Sequence, residues 1–309
     1  MNWYKLFFVT DILMSSVPNQ SYELSRLLLV TRDAIRKIRN QELKKYKVDS
    51  SRVALLLAIN ALKDRATPVA IGQYLLRKRH SISEFLSRAE KDGLVEKKWD
   101  LERKNGVRVV LTPKGREISK RSGERRSIHS VMSILTAKEA KRLQSLLITL
   151  RDYTLKKLDL RSTVPDLETK DQDYELFGLV ISATEAILKA RQKELSEYDI
   201  EPARSGVLIT IASLGNEATP VAIGKHLLRT RHSISELLSR AEKDGLVEKK
   251  WDLDRKNGVR AVLTRLGEEV AQKTMKGLVL PKIMSSLSAA ERSDLRTLLQ
   301  KLFDQTMKI

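Results

Sequence analysis

Read for the spacing of its apolar residues, the chain resolves into several blocks of helical period and two short ones with the character of strands. Tyr22–Tyr46 sets apolar residues at helical spacing among many charges, which predicts a long amphipathic helix. Ser51–Leu62 is almost wholly apolar and predicts a short buried helix. Thr67-Pro68 reads as a helix start, the hydroxyl serving as N-cap and the proline in the first turn. That helix, Val69–Leu76, runs into the basic string Arg77-Lys78-Arg79. Another helix is predicted over Ser81–Lys91, halted by Asp92-Gly93. Leu94–Asp100 and Val107–Thr112 then read as strands flanking Asn105-Gly106, a strong hairpin signal. Gly115 opens a last helical region, in which Ala137–Leu155 carries leucines at i, i+3, i+4 and i+7, the mark of a packing seam. Two helices around a tight turn, followed by a hairpin, predict a winged helix-turn-helix.

The whole pattern occurs twice. Thr67-Pro-Val-Ala-Ile-Gly returns at Thr219 and His80-Ser-Ile-Ser-Glu at His232, both at an offset of 152. Between Thr67–Ile118 and Thr219–Val270, 42 of 52 positions are identical. The same offset, without a gap, carries Tyr22 onto Tyr174, Tyr46 onto Tyr198, and Leu143, Leu146, Leu147 and Leu150 onto Leu295, Leu298, Leu299 and Leu302. The expected organisation is an N-terminal extension at 1–21, a first unit at 22–157, a linker at 158–173 and a second unit at 174–309. Each unit is long enough for its own core. The expected class is mainly α with small β wings (α+β): two winged units on a shared helical, dimerisation-like core with pseudo-two-fold symmetry, the leucine seam of each packing against its equivalent.

Charge narrows the partner. Fifty-eight Lys and Arg against 39 Asp and Glu give a formal charge of +19, which points to nucleic acid first and an anionic membrane second. There is no cysteine, so disulfides, thiolate metal sites and thiol redox sensing are excluded, in keeping with a cytoplasmic protein. No apolar run reaches the ~20 residues of a membrane span. The apolar start, residues 1–14, has one Lys and is broken by Asp11; it reads as a packing helix, the alternative being a membrane or partner anchor. His80 and His232 would need partners to hold a metal, and His129 and His226 have no histidine counterpart in the other copy, so no symmetric metal site is expected. His-Glu-x-x-His spacing, a phosphate-cradling glycine loop and a nucleophile elbow are all missing from the sequence, which speaks against an enzyme.

The order of elements, the helix Thr67-Pro-Val-Ala-Ile-Gly-x-x-Leu, the Ser-Ile-Ser-Glu helix ending Glu-Lys-Asp-Gly-Leu-Val-Glu and the wing closing on Val-x-x-Leu-Thr-Pro-Lys-Gly together resemble the MarR family of bacterial regulators. The resemblance covers nearly the whole chain, twice. Family members are usually homodimers with one unit per subunit, so it implies a single-chain pseudo-dimer. It also implies that the helix near Ser81 enters the major groove. Spacing supports this separately: Ser81, Glu84 and Arg88 share a polar face with Ser83 and Ser87 beside it, while Ile82, Leu86 and Ala89 point inward. The hydroxyls and Arg88 suit phosphates and base edges, and Arg79 and His80 stand at the helix start, where backbone N–H groups favour phosphate. Glu84 has two readings, accepting from a cytosine amine or orienting Arg88 through an i, i+4 pair. The second copy repeats the set as Arg231, His232, Ser233, Ser235, Glu236, Ser239 and Arg240. Arg103 and Lys104, with Arg255 and Lys256, sit at the wing tips and are expected to reach the minor groove. Trp99 and Trp251 are expected to pack at the base of each wing, the alternative being contact with DNA sugars.

The expected function is therefore a sequence-specific regulator of transcription on double-stranded DNA. Near-identical reading helices require near-identical half-sites, centred about one helical turn (~34 Å) apart. The resemblance further implies release by a small phenolic or aromatic effector, which no residue identifies; without cysteine, peroxide sensing is disfavoured. A sequence-tolerant nucleoid protein is the main alternative, and a protein-binding adaptor a third. No cofactor is expected.

Overall fold

Local capping and burial account for each element of the computed structural model, which describes residues 20–75, 77, 79–100, 106–159, 171–251 and 259–309. Helix α1 (Gln20–Leu43) continues into a 3-10 turn at Lys44–Tyr46. Helix α2 (Ser50–Leu62) starts where the Asp49 carboxylate accepts from the Arg52 backbone N–H at 2.8 Å, and it buries Val53, Leu55, Leu56, Ala58, Ile59 and Leu62. Helix α3 (Pro68–Tyr74) is capped by Thr67, as its sequence predicts, and α4 spans Arg79–Lys91. Helix α4 stops in a Schellman turn: Gly93, at φ 69°, donates to the Glu90 carbonyl and Leu94 to that of Ala89, each at 2.9 Å. Strands β1 (Val95–Asp100) and β2 (Gly106–Leu111) pair antiparallel from Val95↔Leu111 to Asp100↔Gly106. The Val109 N–H also donates to the Ala66 carbonyl at 2.8 Å, which ties the wing to the start of α3.

The last helical region opens at Pro113, two residues before the expected Gly115, because Thr112 caps α5 (Pro113–Arg121) and proline serves the first turn. The Thr112 hydroxyl accepts from the Gly115 N–H at 3.0 Å and donates to the Gly93 carbonyl at 2.7 Å. One side chain thus joins the end of α4, the wing and the start of α5. Helices α6 (Arg126–Met132) and α7 (Ala137–Lys157) follow, the latter on a Thr136–Glu139 capping box.

The second copy repeats this order as α8 (Gln172–Leu195), α9 (Pro202–Leu214), α10 (Pro220–His226), α11 (Arg231–Lys243), β3 (Val247–Lys250), β4 (Arg260–Leu263), α12 (Arg265–Met275), α13 (Val279–Met284) and α14 (Ala289–Thr306). The β3–β4 register, Val247↔Leu263 to Lys250↔Arg260, matches that of the first wing at the 152 offset. Two compact units result, one of residues 1–30 with 187–292 and the other of 31–186 with 293–309. In the latter, Arg142 pairs with Asp294 at 2.9 Å and Lys301 with Glu139 at 2.8 Å, so α7 lies against the 293–309 part of α14. The leucines at 143, 146, 147 and 150 and those at 295, 298, 299 and 302 are all buried, as a seam requires. Among the described residues no helix is long and apolar enough to cross a membrane.

A buried arginine secures each unit. Arg39 on α1, 2% exposed, donates to Glu42 at 2.6 Å and to the Ser122 carbonyl at 2.5 Å. Glu42 in turn accepts the backbone N–H groups of Arg126 (3.0 Å) and Ser127 (3.2 Å), capping α6. The other unit repeats this at the same offset: Arg191 bonds Glu194 and the Thr274 carbonyl, and Glu194 accepts the Val279 N–H at 3.0 Å. The Glu139 carboxyl, held by Lys301 and the Thr136 cap, is pulled down to about 2.

Two predictions follow from the packing. A Cβ on Gly115 would stand 2.0 Å from the Leu94 carbonyl oxygen, whereas one on Gly123 would meet nothing within 4 Å. Gly115→Ala is expected to cost about 1–3 kcal/mol or more, and Gly123→Ala to be near neutral, in thermal or denaturant melts. His226 lies in a small pocket with Tyr22, Arg26 and Thr210, and burial together with the Arg26 charge pushes its imidazole down to about 4. From its ordinary 6.5 down to about 4, the unfolded chain takes up a proton that the folded unit refuses, so stability falls as pH drops through that window. His226→Tyr, which installs the residue found at Tyr74 in the first copy, should flatten this acid limb in melting temperature against pH; unchanged curvature would rule out His226 as its source.

Candidate nucleic-acid interface

Helices α4 and α11 are each seated on the helix before them by buried apolar residues. In the first, Ile82, Leu86 and Ala89 are at most 1% exposed, with Phe85 half-buried beside them. The crossing of α3 and α4 is close: a Cβ on Gly72 would lie 3.3 Å from Ile82, so only glycine lets the helices approach this far without displacing a neighbour. With the apolar face fixed, Ser81, Ser83, Glu84, Ser87 and Arg88 are turned to solvent. The inward and outward faces are those the spacing predicts. Arg79 and His80 form the first turn of α4, but their side chains lie outside the described residues.

The second head has the same plan with different details. Ile234, Leu238 and Ala241 are buried, and Leu237 stands where the first head has Phe85. Thr230, the counterpart of Lys78, caps α11 by accepting from the Ser233 N–H at 3.3 Å. Arg231, His232, Ser235, Glu236, Ser239 and Arg240 are exposed, and Ser233 is half-buried by the cap.

The acidic residue on the exposed face of α4 and of α11 is engaged within its own helix. Glu84 pairs with Arg88 at 3.4 Å, with both side chains more than half exposed. Glu236 reaches in the opposite direction, its carboxylate 3.3 Å from His232 Nε2. Of the two readings of Glu84, the i, i+4 pair is thus formed in the protein alone. It leaves the Arg88 guanidinium with exposed N–H groups to offer, since one salt bridge uses only part of its fork.

The wings are braced from below. Lys97 on β1 bonds Glu90 on α4 at 2.7 Å, Lys249 bonds Glu242 in the second copy, and Arg108 bonds Asp64 at 2.5 Å. The wing-tip candidates Arg103, Lys104, Arg255 and Lys256 lie outside the described residues. The expected packing of the tryptophans at the wing base is overturned: Trp99 is 69% exposed and Trp251 71%. In the first wing Leu94, Val95, Val109 and Leu111 fill that base and are buried without the indole.

Two features escaped the sequence reading. A cleft of about 80 Å³ opens in the unit of residues 31–186 and 293–309, lined by Arg36, Arg77, Phe85, Tyr174, Phe177 and Glu185 among others. Arg36 donates to Ser51 at 2.8 Å, and burial together with the Arg32 charge lowers its affinity for its proton. Arg77 lies 5.3 Å from the centre of the Phe85 ring. These residues sit far apart along the chain and share no motif, so only folding assembles them. Elsewhere, His129 stands 2.8 Å from Asp173 and 3.5 Å from Asp171, and these three bring metal-type ligand atoms within 4.8 Å of one another. Arg125 already holds Asp171 at 2.9 Å, and the counterparts in the other copy are Pro281, Ser21 and Asn19, so the group is not repeated.

No protein-family model matches the chain, and no curated protein matches it. Solved structures do. An organohalide-sensing transcriptional regulator, RdhR, in its 2,4-dichlorophenol-bound form is 27% identical at a TM-score of 0.42, over 45% of this chain and 84% of its own. A cysteine-to-serine mutant of MarR from E. coli, complexed with operator DNA, is 28% identical at a TM-score of 0.34, over 37% of this chain and 84% of its own. A MarR family protein from Mycobacterium tuberculosis, in complex with salicylic acid, is 17% identical at a TM-score of 0.31, over 40% and 94% respectively. Each of these solved structures matches less than half of this chain.

Proposed function

We propose that this protein is a sequence-specific regulator of transcription that brings two reading heads to double-stranded DNA on one polypeptide and acts as an intramolecular pseudo-dimer on a pseudo-palindromic operator. The observation that carries this reading is the duplication itself: a helix and wing repeated at 42 of 52 positions, with the same inward residues buried in both copies and Ser83, Glu84, Ser87 and Arg88 exposed like Ser235, Glu236, Ser239 and Arg240. Two such heads ask for two similar half-sites, about one helical turn (~34 Å) between centres. Linkage in one chain makes the second engagement intramolecular, so occupancy does not depend on assembling a dimer first. On each head Arg79 or Arg231, His80 or His232, the exposed serines and Arg88 or Arg240 are the proposed contacts, with Arg103, Lys104, Arg255 and Lys256 from the wings.

The cleft supports a second element of the proposal, release by a small acidic or phenolic aromatic molecule. Its rings and its arginines suit such a ligand, and Phe85 belongs to the reading helix, so a molecule seated there bears directly on α4. A structural, sequence-tolerant role is favoured by one observation alone, the charge of +19.

Selection from a randomised duplex library at physiological salt tests the reading. Recovery of an inverted repeat with half-sites one turn apart is expected; unenriched sequence would leave only the charge-driven role. On a selected site, Arg88→Ala should cost about 1–3 kcal/mol and relax the base preference at one position, whereas Lys104→Ala should weaken binding to every sequence and reduce the salt slope by about one. Identical effects of the two changes on selected and random DNA would overturn the assignment of roles.

A further inference from the structure

Both wings present an indole that the fold does not use. In β1 the side chains alternate: Val95 is buried, and Lys97 reaches Glu90 on the reading helix, so the odd-numbered positions face that helix. Trp99 is the next residue on this face, about 7 Å nearer the wing tip by strand geometry, and it is 69% exposed. The second copy, identical in sequence over this stretch, repeats the arrangement. Val247 is buried, Lys249 bonds Glu242, and Trp251 follows in the open. Of the large hydrophobic side chains in the described residues, only that of Leu278 is more exposed than these two indoles. An exposed tryptophan costs more apolar hydration than any other single residue, and here the cost is met twice at one place. Lys98 and Lys250, the neighbours on the opposite strand face, are exposed too, so each indole sits on a basic hairpin beside a reading face.

We propose that Trp99 and Trp251 are DNA contacts, each indole lying along the sugar–phosphate wall of the groove beside its wing. The ring covers deoxyribose carbons while the indole N–H, a donor with no acceptor of its own, turns to a phosphate oxygen. The contact is one of shape and apolar cover, so it adds affinity without charge. It rests on the reading of the two heads as DNA-binding.

The chain has three tryptophans, so Trp3→Phe leaves these two as the only indole emitters, excited at the red edge where its tyrosines do not absorb. That protein is titrated against a fluorescein-labelled mixed-sequence duplex of about 30 base pairs, long enough for two heads one turn apart. Anisotropy of the label reports binding separately from the indoles. At saturation the tryptophan emission is expected to shift blue and its quenching by acrylamide to fall. In the full chain, Trp99→Ala with Trp251→Ala should weaken binding roughly tenfold or more, with an unchanged melting temperature. The slope of log affinity against log salt should also stay unchanged, because no phosphate charge pair is removed. Binding with acrylamide access intact, or a double variant that binds as tightly as the parent, overturns this contact and leaves the DNA-binding reading standing. No change in anisotropy at any salt overturns both.

Discussion

The guanidinium of Arg39, and of Arg191 in the other copy, is the contact on which each unit depends. A planar fork with five donors in fixed directions can bond a carboxylate and a backbone carbonyl together, which lysine cannot. Arg39 uses it to join the long helix to the carbonyl of Ser122 just after α5, while Glu42 both balances the charge and caps α6. The helix that supports the head, the helix that leaves the wing and the helix that leads to the leucine seam are thereby held at one buried point. Because the charge is out of water, removing Glu42 alone would strand it, a far larger penalty than the loss of a surface pair. The capping threonine at 112 plays the smaller counterpart, with one hydroxyl shared between the end of α4 and the start of α5.

Much of this was legible in the sequence because local chemistry decides it. Thr67-Pro68, Asp92-Gly93 and the leucine row each act within a few residues, and the elements they predict lie within about two residues of those observed. The opposing faces of the Ser81 helix were readable for the same reason, since helical spacing fixes which side chains can be covered. The arginine clamp was hidden because Arg39 sits in a helix crowded with charge, where any one cation reads as solvated. A signal did exist: Arg-x-x-Glu recurs at Arg39/Glu42 and Arg191/Glu194, inside flanks that have otherwise drifted. The cleft offered no such signal, as its residues meet only after the chain has folded. Trp99 was misplaced for a quantitative reason: aromatic residues usually close an edge, but four aliphatic side chains had already closed this one.

The two heads are alike in plan and different in detail. Phe85 gives way to Leu237, Glu84 pairs toward the end of its helix while Glu236 pairs toward the start of its own, and Thr230 supplies a cap at the position of Lys78. Tyr74 gives way to His226, whose imidazole burial pushes down to about 4. None of these changes disturbs the buried triad of α4 (Ile82, Leu86, Ala89) or its counterpart in α11 (Ile234, Leu238, Ala241), so the backbone of each head is preserved while its surface chemistry and surroundings vary.

That latitude comes from the covalent tandem. When two identical subunits share a site, a single codon change is copied into both, and each half constrains what the other tolerates. Here Leu237 stands in one head where Phe85 stands in the other, so the halves are inherited together yet differ residue by residue. A change in one copy therefore leaves the other as it was, a freedom closed to any strictly symmetric pair.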